Sequence, residues 1–175
     1  MAWAAPYTWS VGEIPTAAKL NEQLKDNMVD VGQPGIGHAV LPSDVTWDSV
    51  ASEAYSFRVT LSSLTLSKNT SLSGNKITVS QAGIWLVSAT LTWKATANAS
   101  ATSLRGAKIY VNDSASDARD MCLNNQNVDT VNVISAVPMS LAAGNWIDLR
   151  GWQNSGVTIN QAAGTRLSCV LLYRS

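Results

Sequence analysis

The sequence predicts an antiparallel β-sandwich preceded by one short α-helix. Helical periodicity is confined to the segment that ends near Asp30, and an alternation of apolar and polar residues replaces it further along the chain. This alternation is clearest from Gly83 to Trp93, where Trp85, Val87 and Leu91 share one face. Short strands that follow one another without intervening helices are typical of an antiparallel sandwich.

Clusters of Gly, Asn, Asp and Ser separate the other strand candidates, which is the usual sign of turns between strands. Besides the segment that ends at Trp93, the predicted strands are Tyr55 to Leu61, Ser63 to Leu66, Lys76 to Ser80, Gly106 to Asn112, Asp129 to Met139, Trp146 to Gln153, Gly156 to Asn160 and Arg166 to Tyr173.

The predicted helix covers residues 15–30 and is rich in good helix formers, with Pro15 suited to its first turn. Its apolar residues repeat with the spacing of a coiled-coil seam, and a polar Asn occupies one seam position. The seam consists of Ala17, Leu20, Leu24, Asn27 and Val31. A helix this short is only marginally stable alone in water, so we expect it to pack against its own domain, symmetry mates or another protein.

A Gly- and Pro-rich segment follows the helix and predicts a linker, because these residues disfavour both helix and strand. The predicted organisation is an N-terminal anchor segment over residues 1–30, a linker over residues 31–45 and a β-domain over residues 46–175.

The charge composition argues against nucleic-acid and membrane partners. Twelve basic and twelve acidic residues cancel, and charged residues make up only 14% of the chain, so there is no field to attract nucleic acid or anionic lipid. We find no apolar stretch long enough to span a membrane and no secretory signal pattern. Cys122 and Cys169 stand far apart without a CxxC motif, which predicts free thiols.

The sequence offers little support for an enzyme. His38 lies in the predicted linker, where nothing is expected to orient it, and no nucleotide-binding, metalloprotease or nucleophile-elbow motif occurs. We therefore expect no catalytic residue, cofactor or metal. Asp113, Asp117, Asp120 and Asp129 fall in a predicted loop; calcium binding there stays open, although a solvated turn is the favoured interpretation.

A sugar-binding module is the alternative function. Exposed Trp faces on a β-sandwich can stack on sugar rings, and Trp93 and Trp152, near predicted strand ends, are the candidates. The competing interpretation places Trp85 and Trp93 in the sandwich interior, since they share the apolar face of one strand.

The C-terminal part resembles the jelly-roll domain of the complement globular head and tumour necrosis factor superfamily. The segments that carry this resemblance are AGIWLVSA at 82–89, KIYVN at 108–112, LAAGNWIDL at 141–149 and LSCVLLY at 167–173. Trp85 stands where the family typically has Tyr, and Asn145 stands where it typically has Asp. The resemblance implies an antiparallel jelly roll that trimerises about a threefold axis.

The N-terminal part resembles a segment that recurs at the start of structural proteins of tailed bacteriophages, of the form tWxxGExxTAaxLNxxlxDN. It runs from Thr8 to Asn27 and includes Trp9, Pro15 and the first seam residues. The resemblance implies a virion component, a head decoration, head fibre or minor tail protein, with the N-terminal segment as attachment or trimerisation element.

Together the two resemblances imply a homotrimer displayed on the virion surface and assembled in the host bacterial cytoplasm. Its expected partners are major capsid or tail proteins, with a host-surface glycan as the partner under the alternative function.

Overall fold

The computed structural model describes residues 11–14, 16–20, 34–41, 45–47, 55, 57–95, 103–123 and 128–174. The chain divides into two compact units, Met1–Pro34 and Gly35–Ser175. In the described part of the chain, no helix is long and apolar enough to cross a membrane.

The first unit contains helix α1 (Ala17–Leu20). The Lys19 backbone N–H donates to Thr16 Oγ1 at 3.3 Å, so Thr16 caps the N-terminus of the helix and the described helix begins at Ala17 rather than at residue 15. Lys19 also forms an ion pair with Glu13. The remainder of the predicted helix lies outside the described residues.

The second unit is built from antiparallel strands. They are β1 (Ile36–Val40), β2 (Val45–Trp47), β3 (Phe57–Arg58), β4 (Ser63–Lys68), β5 (Thr70–Ser73), β6 (Lys76–Val79), β7 (Gly83–Trp93), β8 (Leu104–Val111), β9 (Ser114–Leu123), β10 (Thr130–Leu141), β11 (Trp146–Gln153), β12 (Ile159–Gln161) and β13 (Arg166–Arg174).

These strands form two sheets. In sheet A the order is β2-β12-β7-β13-β1-β4, and β10 pairs with the other side of β7. In sheet B the order is β5-β6-β11-β8-β9, with β3 also paired to β11. The structure therefore confirms the predicted fold class, an antiparallel β-sandwich.

Strand β7 supplies the centre of the core with the register that the sequence predicts. Its residues alternate between buried and half-buried along its whole length, and Trp85, Val87 and Trp93 are each 0% exposed. Buried apolar residues of sheet B, including Ile77 and Ile109, belong to the same core.

Two hairpins of sheet B use two-residue loops in the left-handed conformation, the geometry that matches the twist of paired strands. Asn112 and Asp113 connect β8 to β9 with φ of 49° and 64°. Gly74 and Asn75 connect β5 to β6 with φ of 56° and 66°.

The structure differs from the sequence prediction within the expected linker. Residues 36–40 form β1, which pairs with both β13 and β4. Packing favours Gly37 there, because a Cβ at this position would lie 3.0 Å from Cys169 Sγ and 3.0 Å from Ile77 Cγ2, and both side chains would have to shift. In the sequence, such a glycine looks like a residue that interrupts a strand. In the structure it instead allows the two sheets to approach each other closely.

The predicted loop of aspartates is wrong for Asp117 and Asp120, which lie in strand β9, whereas Asp113 lies in the turn before that strand. Strand β9 lies at the edge of sheet B, and only Ala118 of it is buried, so it lacks the apolar alternation that identifies inner strands.

Candidate functional site

The outer face of sheet A is the candidate functional surface. In an antiparallel ladder, residues directly opposite each other share a face, so the outward residues form rows across the strands. One row joins Val40, Arg166, Thr90 and Val133. The outer face comprises Ile36, His38, Val40, Ser63, Leu66, Lys68, Ile84, Leu86, Ser88, Thr90, Thr92, Val131, Val133, Pro138, Ser140, Arg166, Ser168, Val170 and Tyr173.

Charge is confined to the margins of this face. Its charged members are Lys68, at the end of β4, and Arg166, at the start of β13. Between them lie His38 and half-buried aliphatic and hydroxyl side chains, with Ser88 and Ser168 opposite each other near the middle. Depletion of charge is the compositional mark of the centre of a protein interface.

Some apolar side chains on the outer face of sheet A are exposed to solvent. Val131 and Val133, on β10, are 45% and 55% exposed, and Leu66, on β4, is 53% exposed. These residues occupy opposite margins, because β10 and β4 lie on opposite sides of the sheet. The surface therefore carries apolar groups at two distinct places.

His38 lies in the middle of this face rather than in a linker. Its Nδ1 is 2.6 Å from Ser168 Oγ on the neighbouring strand, so strand pairing sets the orientation of the ring. Among the described residues, no carboxylate hydrogen-bonds to His38 to complete a catalytic triad.

The outer face of sheet B has a different chemistry. Arg58 and Arg150 both donate to the carboxylates of Asp113 and Asp148, and Arg150 also stacks on Tyr110 at 3.9 Å from the ring centroid. The hydrogen bond from Arg150 lowers the pKa of Asp113. Asp113 is exposed, whereas Asp148 is 0% exposed and its charge is compensated by the two arginines.

The outer face of sheet A is therefore a broad, largely uncharged β-surface suited to a protein contact. Solved structures with the same architecture include a tumour necrosis factor protein, Eiger, from S. frugiperda, with a TM-score of 0.61 and 9% identity over 81% of this chain and 94% of that chain. The chain has a TNF/C1q-like jelly-roll fold.

Two further structures share this jelly roll. Murine APRIL, crystallised at pH 5.0, has a TM-score of 0.57 and 15% identity over 80% of this chain and 100% of that chain. The globular domain of zebrafish complement 1qA has a TM-score of 0.55 and 9% identity over 81% and 99%. No protein-family model and no curated protein sequence matches the chain. At these identities the similarity establishes the fold, which by itself does not determine function.

The prediction that Trp93 and Trp152 stack on glycans is wrong. Trp93 and Trp152 are 0% and 2% exposed, so neither ring has a face open to a sugar. The Trp93 indole N–H donates to Asn132 Oδ1 inside the sandwich at 2.8 Å. Trp152 packs beside Tyr55, with ring centroids 6.3 Å apart. On the half-buried Trp146, Lys76 Nζ lies 3.6 Å from the ring centroid and covers a face of the ring.

The predicted attachment residues fall in the first unit of the chain. Ala17 and Leu20 lie in α1 and are exposed, Leu20 by 39%. The other members of that set lie outside the described residues; they are Trp9, Pro15, Leu24, Asn27 and Val31.

The four aspartates considered for calcium do not converge. Asp113 pairs with Arg58 and Arg150, Asp120 accepts from the backbone of Val133 at 3.0 Å, and Asp129 accepts from the backbone of Ala95 at 2.7 Å. Within the described ranges, no three His, Cys, Asp or Glu side chains come together as a metal site.

Proposed function

We propose that this protein is a non-enzymatic structural component of a tailed-bacteriophage virion, a trimeric decoration or fibre displayed on the particle surface. The observation that carries the virion assignment is the N-terminal segment from Thr8 to Asn27, which has the pattern of phage structural proteins. Its attachment partners are major capsid or tail proteins, and assembly takes place in the host cytoplasm.

The outer face of sheet A supports the trimer. A closed ring of three copies needs two different surfaces on each copy, because a threefold contact is heterologous. The apolar margin formed by Val131 and Val133 and the uncharged centre around Ser88 and Ser168 provide two such surfaces. In the proposed trimer, the margin of one copy packs on the centre of the next copy.

The outer face of sheet B is placed toward solvent in this proposal. Arg58 and Arg150 are paired with Asp113 and Asp148, so these four groups need no partner from another subunit. Exposing this face keeps polar groups on the outside of the particle, and residues 1–30 provide the attachment to the particle.

Removal of residues 1–31 is expected to abolish attachment to the particle while the jelly roll remains folded. The deletion removes the phage-like segment and ends before β1, whose first residue is Ile36. Phage particles that lack this protein are mixed with the full chain or with residues 32–175, and binding is measured by co-sedimentation.

The full chain should co-sediment with the particles and the truncated chain should stay in the supernatant. Far-ultraviolet circular dichroism of residues 32–175 is the matched control and should show β-structure. A folded, truncated protein that still co-sediments would place the attachment surface on the jelly roll and refute the anchor assignment.

A further inference from the structure

His38 is the only histidine in the chain, and it lies in the middle of the outer face of sheet A. It stands opposite Ser168 on β13 and opposite Leu66 on β4, and in the single subunit it is half-buried. Because β1 is paired along both of its edges, the ring stays on this face. His38 therefore belongs to the surface that the proposed trimer covers.

The charged groups beside His38 on this face are cations. On β13, Arg166 lies opposite Val40, which is the next outward residue of β1 after His38. On β4, Lys68 lies opposite Ile36, the outward residue of β1 before His38. Strand β5, which also contacts β1, carries no charged residue. The immediate surroundings of His38 are therefore neutral or positive.

No carboxylate is placed to neutralise a charge on His38. The described outward residues of β1, β4, β7, β10 and β13 include no Asp or Glu, and β7 contributes Ser88 next to the histidine row. Tyr173, also on this face, is of a residue type that is uncharged at acidic pH. Asp129, beyond the end of β7, lies 3.7 Å from Lys94 Nζ. A proton on His38 therefore adds positive charge to a face whose other charges are positive.

Protonation also changes the hydrogen bonds that the ring requires. A neutral imidazole has one donor and one acceptor nitrogen, and Nδ1 of His38 is 2.6 Å from Ser168 Oγ. Within the described ranges, Nε2 has no hydrogen-bond partner. A protonated ring donates from both nitrogens, so Nε2 then needs an acceptor. Water supplies it in a single subunit, whereas a second subunit packed over the ring would exclude water and leave the charge uncompensated.

We propose that His38 makes the association of the subunits depend on pH, with the trimer favoured when the ring is neutral. This inference rests on the proposed trimer, in which the centre of the outer face of sheet A is a subunit contact. The three contacts of a closed ring are equivalent, so each one covers one His38. A mildly acidic medium then releases folded subunits.

The free subunit binds a proton on His38 more readily than the trimer does, so dissociation takes up protons and a fall in pH favours it. Histidine in water is half-protonated at about pH 6.5. Association should therefore be complete above about pH 7.5 and weaken as the pH falls below about 6.5. With three protons taken up per trimer, the association constant should fall by up to about a thousandfold per pH unit.

The test is sedimentation of the full chain from pH 8 to pH 5 at constant ionic strength, a range in which Asp and Glu in water stay largely ionised. We expect trimers at pH 8, single subunits at pH 5 and recovery of the trimer when the pH is restored. Far-ultraviolet circular dichroism should be unchanged throughout. A trimer that is equally stable at pH 5, or dissociation that accompanies loss of the β-spectrum, would overturn the proposal.

These outcomes are distinct from failure of the trimer itself. Single subunits at pH 8 would refute the proposed assembly, and with it the role of His38. Trimers at both ends of the pH range would leave the assembly intact and refute only the pH dependence.

His38→Gln and His38→Lys are the paired variants, because one is always neutral and the other carries a charge throughout this pH range. His38→Gln should remain trimeric at pH 5, and His38→Lys should be folded but dissociated at pH 8. Ser168→Ala is the matched control, since it removes the hydrogen-bond partner and keeps the titrating ring, so its response to pH should persist. Acid dissociation that survives in His38→Gln would contradict the assignment.

A second measurement on the unmodified chain covers the case in which a variant does not fold. Because the chain has one histidine, the NMR signal of the imidazole C–H groups reports on His38 alone. Its titration should coincide with the fall in mass and move to lower pH when the protein concentration is raised, since the trimer holds the ring neutral. A titration that does not depend on protein concentration would overturn the proposal.

Discussion

Val87→Asp is expected to prevent the chain from folding. Val87 is 0% exposed on β7 and lies opposite Cys169, so the new carboxylate would be buried among apolar groups without a partner. Burial of an unpaired charge costs several kcal/mol or more, which is comparable with the total stability of about 5 to 15 kcal/mol of a typical domain. The measurement is soluble yield together with far-ultraviolet circular dichroism.

Thr90→Asp is the control on the same strand. Thr90 points to the outer face of sheet A and lies opposite Arg166, so an introduced carboxylate would have a guanidinium beside it. This variant should fold with the spectrum of the natural chain. A soluble and folded Val87→Asp protein would mean that the two faces of β7 are exchanged, because a slip of one residue turns every side chain to the other face.

Ser88→Asp is expected to dissociate the trimer and leave each subunit folded. Ser88 is half-buried in the uncharged centre of the outer face of sheet A, opposite Ser168. In the proposed trimer the new charge would be buried without a partner at each of the subunit contacts, weakening association by about a hundredfold or more. Sedimentation at several protein concentrations measures the association.

Thr78→Asp is the matched control for this prediction. Thr78 is a half-buried hydroxyl residue on the outer face of sheet B, where the proposal places no subunit contact. It should assemble like the natural chain. If Thr78→Asp dissociated the trimer and Ser88→Asp did not, the contact would lie on sheet B.

The sequence predicted the parts of the fold in which a strand has one apolar and one polar face. Strand β7 is the clearest example, since the residues from Trp85 to Trp93 on its apolar face are all buried. The sequence left open whether Trp93 binds sugar or fills the interior. The structure places it in the interior, where its indole N–H donates to Oδ1 of the buried Asn132. A buried acceptor that belongs to a distant strand leaves no signal beside Trp93 in the sequence.

Strands without that alternation were missed. Strand β1 contains Gly37 and follows a Pro- and Gly-rich stretch, so its local composition predicts a linker although long-range pairing with β13 makes it a strand. Strand β9 was missed because it is an edge strand with one buried residue, Ala118, and therefore has no apolar alternation. Because His38 lies on β1, missing this strand also concealed the middle of the candidate surface.

The burial of Arg105 was equally inaccessible to sequence reasoning. Arginine is rarely buried, and Arg105 stands just before the predicted strand from Gly106 to Asn112, so nothing in the sequence indicated an inward position. Here Arg105 lies inward, and Asn132 Nδ2 donates to its backbone carbonyl across the sandwich at 3.3 Å. Only the three-dimensional structure brings these polar groups together.

The solution mass of the full chain is the most direct test of the trimeric assembly on which the proposed function rests. Light scattering at micromolar protein concentration should give about three times the chain mass of 18.6 kDa, because a single subunit would leave the largely uncharged outer face of sheet A exposed to water. A mass of 18.6 kDa at every concentration would contradict the trimer and the role assigned to that face.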